Sequence, residues 1–375
     1  MGKIDEKLTE EMTMMIMSPE KQQELDEHIL GISRILYEHI EVENLKTFEG
    51  IEWELRKQVL EKVTPQIGEF FFSEGGEKRS GKQRSVKTCL GLVEISQKQG
   101  KKLGLRSKTQ ISPGLEKCCL RLCAKNSYEQ AENDLKTLMG ISIGGSSLHR
   151  LVQKIELPAG QGETQVSALS VDGGKIRLRS EETGKGEWRD YKAVSLHESI
   201  CEAFFQEPVA LERWSEQQSL SPILTCLGDG HDGVWNVMKT IGGSKVVIQR
   251  QVLDWYHLKE NLYKVGGSLK RLQQVETMLW LGRVDAAIAE FDCLRGKQPK
   301  KFQLYLDKHR QRIPNYSTYQ KLGIPIGSGS VESKIKQIGA RVKISGALWK
   351  RENVSQILRL RCAYLNNSSC LSIYA

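Results

Sequence analysis

The sequence predicts an α/β protein: a mixed sheet core with an all-α insertion, preceded by a helical and basic N-terminal region. Three observations carry that expectation. Near residue 165 the apolar period changes from the spacing of helices to the two-residue spacing of strands. Apolar runs over 166–172, 222–229 and 245–254 then each end in an aspartate. Finally, residues 257–311 interrupt the alternation with helical spacing alone. The 375 residues are 39% apolar and 27% charged, which is globular composition and argues against a disordered or fibrous chain.

Taken in order, residues 18–40 read as an amphipathic helix. Ser18 caps it, Pro19 takes its first position, and Leu25, Ile29, the offset Ile32 and Leu36 form a stripe. A second helix is expected over 47–63, with Thr47 as cap and Ile51, Leu55 and Val59 at helical spacing. The pair can be a packing hairpin or an oligomerisation element. The Gly-rich basic stretch 74–108 reads as short strands and turns. Residues 113–156 read as helices; Gly140 ends one, and 144–152 opens another. That pattern fits a helix-turn-helix, with Ser146, Ser147, His149 and Arg150 toward a groove, as well as it fits an ordinary αα-hairpin.

The core is expected to open with three antiparallel strands over 166–172, 175–180 and 188–196. A helix over 208–218, a strand over 222–229, a helix over 233–241 and a strand over 245–254 follow. A helix after the Gly-rich turn 325–332 closes the domain. The expected segments are thus an acidic helical region at 1–73, a basic segment at 74–110, a helical segment at 111–160, a core at 165–257 and 322–365, and a helical insertion at 258–321.

Charge is placed unevenly within the net +9. Residues 1–76 hold 8 Lys/Arg against 17 Asp/Glu, whereas 77–108 hold 10 against 2 and 333–361 hold 8 against Glu352 alone. Two basic concentrations beside an acidic head point to a polyanion partner, with Lys78, Arg79, Lys82, Arg84 and Lys87 placed to track phosphates. No apolar run is long enough for a transmembrane helix, and the N-terminus lacks a basic-then-apolar leader, so a cytoplasmic protein is expected. None of the nine cysteines forms a Cys-x-x-Cys pair, so no structural zinc is expected.

Asp172 and Asp229 follow apolar strand residues, and Glu332 lies near the start of a helix. Carboxylates at one edge of a sheet sit where α/β sites form. Three of them together need cations, and two Mg²⁺ (or Mn²⁺) ions roughly 3.5–4 Å apart would balance them and serve phosphoryl chemistry. Asp232 competes with Asp229 as the second carboxylate.

The stretches Ser170-Val-Asp-Gly-Gly174, Gly228-Asp-Gly-His231, Asp254-Trp-Tyr-His-Leu-Lys259 and Gly327-Ser-Gly-Ser-Val-Glu332 resemble bacterial insertion-sequence transposases of the ISKra group, related to the Mutator-like DDE superfamily. The resemblance covers about residues 110–365. It implies an RNase H-like core with Asp172, Asp229 and Glu332 as a metal-binding triad, and a helical insertion before the glutamate. It also implies a role for His257 at the phosphate or beside the triad, and positions for Arg341 and Lys343 near the DNA backbone. Trp188, Lys192 and Trp349 fit the same pattern, Trp349 more readily as core than as a base-stacking platform. The implied partners are double-stranded DNA, as terminal inverted repeats and target, and further copies of the chain, at the bacterial nucleoid. Relatives often carry a zinc ribbon before the core, and the basic segment here keeps only Cys89. A structure-selective nuclease and a non-catalytic DNA-binding derivative of a transposase are the alternatives.

Overall fold

A computed structural model describes residues 17–76, 80–180, 186–197 and 199–373. The chain divides into two compact units. One runs to Pro113 and takes in Met139–Ile141; the other comprises Gly114–Leu138 and the chain from Ser142 onward. The five expected segments are thus gathered into two.

In the first unit, α1 (Pro19–Tyr37) begins with the Ser18 hydroxyl accepting from the Lys21 amide at 3.4 Å. Its stripe is largely uncovered: Leu36 is buried, but Leu25, Ile29 and Ile32 are exposed. The helix α2 (Phe48–Gln58) starts at the Thr47 cap, passes through a π-turn over Val59–Val63 and continues as α3 (Thr64–Gly75). A helix stopping at 63 is therefore corrected. Pro65 has no N–H to donate, and the π-turn just before it is where the helical bonding already departs from the regular ladder. The basic segment forms an antiparallel hairpin of β1 (Gln83–Thr88) and β2 (Gly91–Ser96), then α4 (Gln97–Lys102), which starts in a reciprocal Ser96–Gln99 capping box. The strand β2 packs against α3, with Val86, Val93 and Ile95 buried.

The second unit opens with α5 (Pro113–Lys125), α6 (Tyr128–Met139) and α7 (Gly145–Lys154). The strands β3 (Val166–Arg179), β4 (Gly186–Leu196) and β5 (Cys201–Phe204) then run antiparallel in series. After α8 (Pro208–Gln217) comes β6 (Leu220–Gly228), and after α9 (Asp232–Met238) comes β7 (Ile248–Leu253). Both late strands run parallel to β3, giving a five-stranded mixed sheet of order β5-β4-β3-β6-β7.

The two strands expected over 166–172 and 175–180 are one strand of 14 residues. Gly173 and Gly174 do not break it, because they pair with Lys192 and Tyr191 of β4. A Cβ on Gly174 would lie 2.1 Å from Tyr191 Cζ, so this glycine makes room for a buried ring.

The insertion is helical as expected: α10 (Trp255–Tyr263), α11 (Leu269–Trp280), α12 (Val284–Ala289), α13 (Lys297–His309) and α14 (Tyr316–Lys321). It is not a separate body. Leu272, Val275, Leu279, Phe291 and Phe302 belong to the same buried cluster as Val171, Leu227 and Val252 of the sheet. The Tyr316 hydroxyl donates to the Leu253 carbonyl at 2.8 Å, tying the insertion to the end of β7. Finally α15 (Gly329–Val342) packs on β3 and β4, and α16 (Val354–Leu365) on β5 and α7. Among the described residues no helix is long and apolar enough to cross a membrane.

Candidate active site

Three aspartates form a row across the sheet. Ser170 pairs with Leu227, and Gly228 pairs with Leu253. Carried forward one or two residues, that register sets Asp172, Asp229 and Asp254 side by side, at the roughly 4.8 Å step between neighbouring strands. The Asp254 amide donates to the Gly228 carbonyl at 2.9 Å, which holds the register at the row itself. Asp172 is not at a strand end, as the sequence suggested. The strand β3 runs on against β4 after β6 has stopped, and the edge of β6 leaves the Asp172 side chain open to a cleft.

Asp172 is half-buried, and its Oδ1 accepts from the Gly173 amide at 2.6 Å. Burial pushes its carboxyl above the usual range. The Asp229 charge adds to that rise, while His257 and Lys192 act against it. Asp229 Oδ1 accepts from the His231 amide at 2.9 Å, closing a tight turn. Gly230 sits in that turn at φ +98°, and a Cβ there would meet the Tyr305 hydroxyl at 2.9 Å. Asp172, Asp229, Lys192 and His231 line one cleft. Among the described residues neither aspartate has a side-chain counter-ion at ion-pair distance.

Asp254 differs sharply. It is 1% exposed and caps α10, its Oδ1 accepting from the His257 amide at 2.8 Å. Its Oδ2 accepts from both the amide and the hydroxyl of Ser328, the latter at 2.6 Å. Burial alone would raise this carboxyl, but the hydrogen bonds from His257 and Ser328 outweigh it and hold the group at about 2. Asp254 therefore fastens the residue that precedes α15 to the end of β7. The Trp255 amide, donating to the Ile326 carbonyl at 3.0 Å, is a second tie between the same segments. The His257 ring lies with Nδ1 at 3.4 Å from Asp254 Oδ1 and is raised by that contact, with burial opposing. Its field also reaches Asp229 and Asp172.

Glu332 lies in the first turn of α15, and its Oε1 is 2.6 Å from Lys336 Nζ. The structure thus brings Asp172, Asp229 and His257 into one electrostatic neighbourhood and leaves Glu332 ion-paired along its own helix. Among the described residues no group of three or more His, Cys, Asp or Glu side chains is gathered tightly enough to hold a metal ion. Asp232, the competitor of Asp229, is exposed and paired to Lys308 at 2.7 Å.

The basic residues separate into two kinds. Arg341, expected near a DNA backbone, is 1% exposed. Its Nε donates to the Cys123 carbonyl at 2.6 Å, and its guanidinium lies 5.0 Å over the Trp349 ring. Arg361 donates likewise to the Ala124 carbonyl. Both satisfy carbonyls that the C-terminal end of α5 leaves unpaired, where a cation is favoured. This corrects the DNA-backbone expectation for Arg341. Trp349 is core: it is 8% exposed, and its backbone pairs with β3 through Arg177 and Arg179.

Lys343 is exposed, as are Lys82 and Lys87. Arg84 faces the other side of β1 from Lys87 and donates to the Arg106 carbonyl at 3.2 Å, so this segment does not offer one continuous phosphate-tracking stripe. Lys78 and Arg79 lie outside the described residues. On α7, Arg150 is exposed and bonds back to the Ser146 carbonyl, while His149 packs edge-on against Tyr128. Only part of the expected groove-facing set is therefore presented outward.

Sequence reasoning missed Ser328 as the partner of Asp254, although it lies inside the Gly-Ser-Gly-Ser motif. It also missed Tyr305, whose hydroxyl lies 3.5 Å from the Asp229 carbonyl and which no local pattern marks. Compared with protein-family models, the chain matches none, and compared with curated proteins it also finds no match.

Proposed function

We propose that the chain is a metal-dependent DDE transposase with an RNase H-like core. It would hydrolyse phosphodiester bonds at the ends of its own element and use the freed 3′-hydroxyls to attack target DNA. The observation that carries this reading is the pair Asp172 and Asp229, set side by side in β3 and just past the end of β6, with no side-chain ion pair among the described residues. Three antiparallel strands followed by two parallel ones also suit an RNase H-like sheet.

Asp172 and Asp229 supply two oxygen donors of the kind a hard divalent cation takes, and a third would have to come from Glu332. Two carboxylates lie adjacent, one of them raised by burial and by its neighbour's charge, and a cation would relieve both effects. Mg²⁺ or Mn²⁺ held there would supply Lewis-acid activation of a water or a 3′-hydroxyl. Glu332 would contribute a third carboxylate by exchanging Lys336 for the site. Its helix start is already anchored through Ser328 and Asp254. His257 would orient a phosphate oxygen while Asp254 holds its ring. Exposed Lys82, Lys87, Arg150 and Lys343 would contact the DNA backbone. Pairing two element ends calls for at least two subunits.

The Glu332–Lys336 ion pair favours one other reading, a DNA-binding derivative that no longer cuts. The test is strand cleavage and joining with Mg²⁺ or Mn²⁺ on DNA carrying the element's flanking repeats, comparing the unaltered chain with Glu332→Gln. Joined products lost in the variant support the transposase. Cleavage without joining supports a nuclease, and binding without cleavage in either protein supports the derivative.

A further inference from the structure

We propose that Lys192 binds a non-bridging oxygen of the phosphodiester in the carboxylate cleft. This inference rests on the nucleic-acid reading above and assigns one residue the task of seating its phosphate. Lys192 projects from β4 at the position paired with Gly173, the residue after Asp172. Its Nζ stands 3.1 Å from where a Cβ on Gly173 would be, and 3.4 Å from the same point on Gly233. The ammonium therefore lies between the Asp172–Gly173 step of β3 and the start of α9, in the cleft that Asp172 and Asp229 line.

Lys192 is partly buried, yet among the described residues its ammonium makes no hydrogen bond or ion pair. A lysine that needs only a structural partner would close on Asp172, whose charge it already feels. Instead Asp172 takes its hydrogen bond from the backbone of Gly173. A partly desolvated ammonium without an acceptor is costly. A cation held by Asp172 and Asp229 would occupy those carboxylates and leave the ammonium free to pair with an anionic oxygen entering the cleft. A phosphodiester supplies two such oxygens. Gly173 is part of the same arrangement, because a side chain there would compete for the position that Nζ occupies.

The test uses the full chain with Mg²⁺ and two probes. The first is a fluorescein-labelled DNA duplex of arbitrary sequence, with affinity followed against salt. Each phosphate contact contributes about 0.9 to the slope of log K against log salt. Lys192→Gln should lower that slope by roughly 0.9, and Lys192→Arg should restore it. The second probe is dimethyl phosphate, followed by its phosphorus resonance. The shift seen with the unaltered chain should vanish in Lys192→Gln and persist in Lys264→Gln, an exposed lysine paired with Glu260 and not among the residues lining the cleft. Far-ultraviolet circular dichroism checks that each variant is folded. If the duplex binds but the slope of Lys192→Gln is unchanged, the Lys192 assignment falls and the DNA reading stands. If the unaltered chain does not bind duplex, the DNA reading falls and dimethyl phosphate decides alone. A shift that depends on Lys192 supports the assignment, and no shift, or one unchanged in Lys192→Gln, overturns it.

Discussion

Asp229 and Asp254 occupy the same local setting, each just past the end of a parallel strand and next to the other in the row. Their surroundings are opposite. Asp254 is buried and accepts from the His257 amide and from the amide and hydroxyl of Ser328. Asp229 accepts one amide from its own turn, and Asp172 beyond it accepts only that of Gly173, the next residue of its strand. A carboxylate has about four acceptor positions. Asp254 has filled most of its positions with protein donors, and the other two aspartates have left most of theirs open. The first kind of acid holds elements together; the second keeps acceptor positions open toward the cleft. The basic residues divide the same way, with Arg341 and Arg361 spent on the α5 carbonyls and Lys343 left outside.

The sharpest way to break this comparison is activity. Asp172→Asn or Asp229→Asn should lower metal-dependent strand cleavage on the order of a thousandfold, the equivalent of about 4 kcal/mol of transition-state stabilisation. Asp254→Asn, assayed well below its melting temperature, should lose far less. Equal losses at all three positions would erase the distinction between the open and the satisfied acids.

Stability should show the reverse order. Asp254→Ala removes a helix cap and strands two buried donors of Ser328, so it should cost about 3 kcal/mol in urea unfolding. Ser328→Ala keeps the backbone donor and should cost about 1 kcal/mol. Arg341→Met should likewise cost about 3 kcal/mol, because it leaves the α5 carbonyl buried and unpaired. It should leave the salt slope of DNA binding unchanged. Lys343→Gln should do the opposite, lowering that slope by roughly 0.9 with no measurable change in unfolding.

The same comparison can be sharpened through pH dependence. Asp254 is held at about 2 when folded, below an ordinary value near 3.9. A depressed carboxylate stabilises the fold above its unfolded pKa. Asp254 should therefore contribute roughly 2 kcal/mol at neutral pH, lost as pH falls from about 4 to 2. Asp254→Asn should flatten that stretch of the stability profile. Asp172 is raised, so its ionised form opposes folding above its folded pKa. Without divalent cations, Asp172→Asn should raise the melting temperature at neutral pH, and added Mg²⁺ should narrow the gap. A fall instead would mean that Asp172 is already satisfied by the protein.

Much of this molecule was legible in the chain. The change of period near 165, the helix starts at Ser18 and Thr47 and the carboxylates after apolar strand residues are local patterns, and local sterics and hydrogen bonding enforce them. The strands over 220–228 and 248–253 and the helical insertion follow from the same spacing rules. Other features depend on partners far away in sequence. Two glycines inside β3 look like a turn until Tyr191 and Lys192 on the next strand show what fills the space. Arg341 looks like a DNA contact until α5, more than two hundred residues earlier, offers its unpaired carbonyls. The period places Leu25, Ile29 and Leu36 along α1, but whether another element covers them is not encoded in it, and only Leu36 is buried. Three aspartates ending three apolar runs look alike in sequence. Tertiary structure alone separates them, because a hydrogen bond from Ser328 reaches one and not the other two.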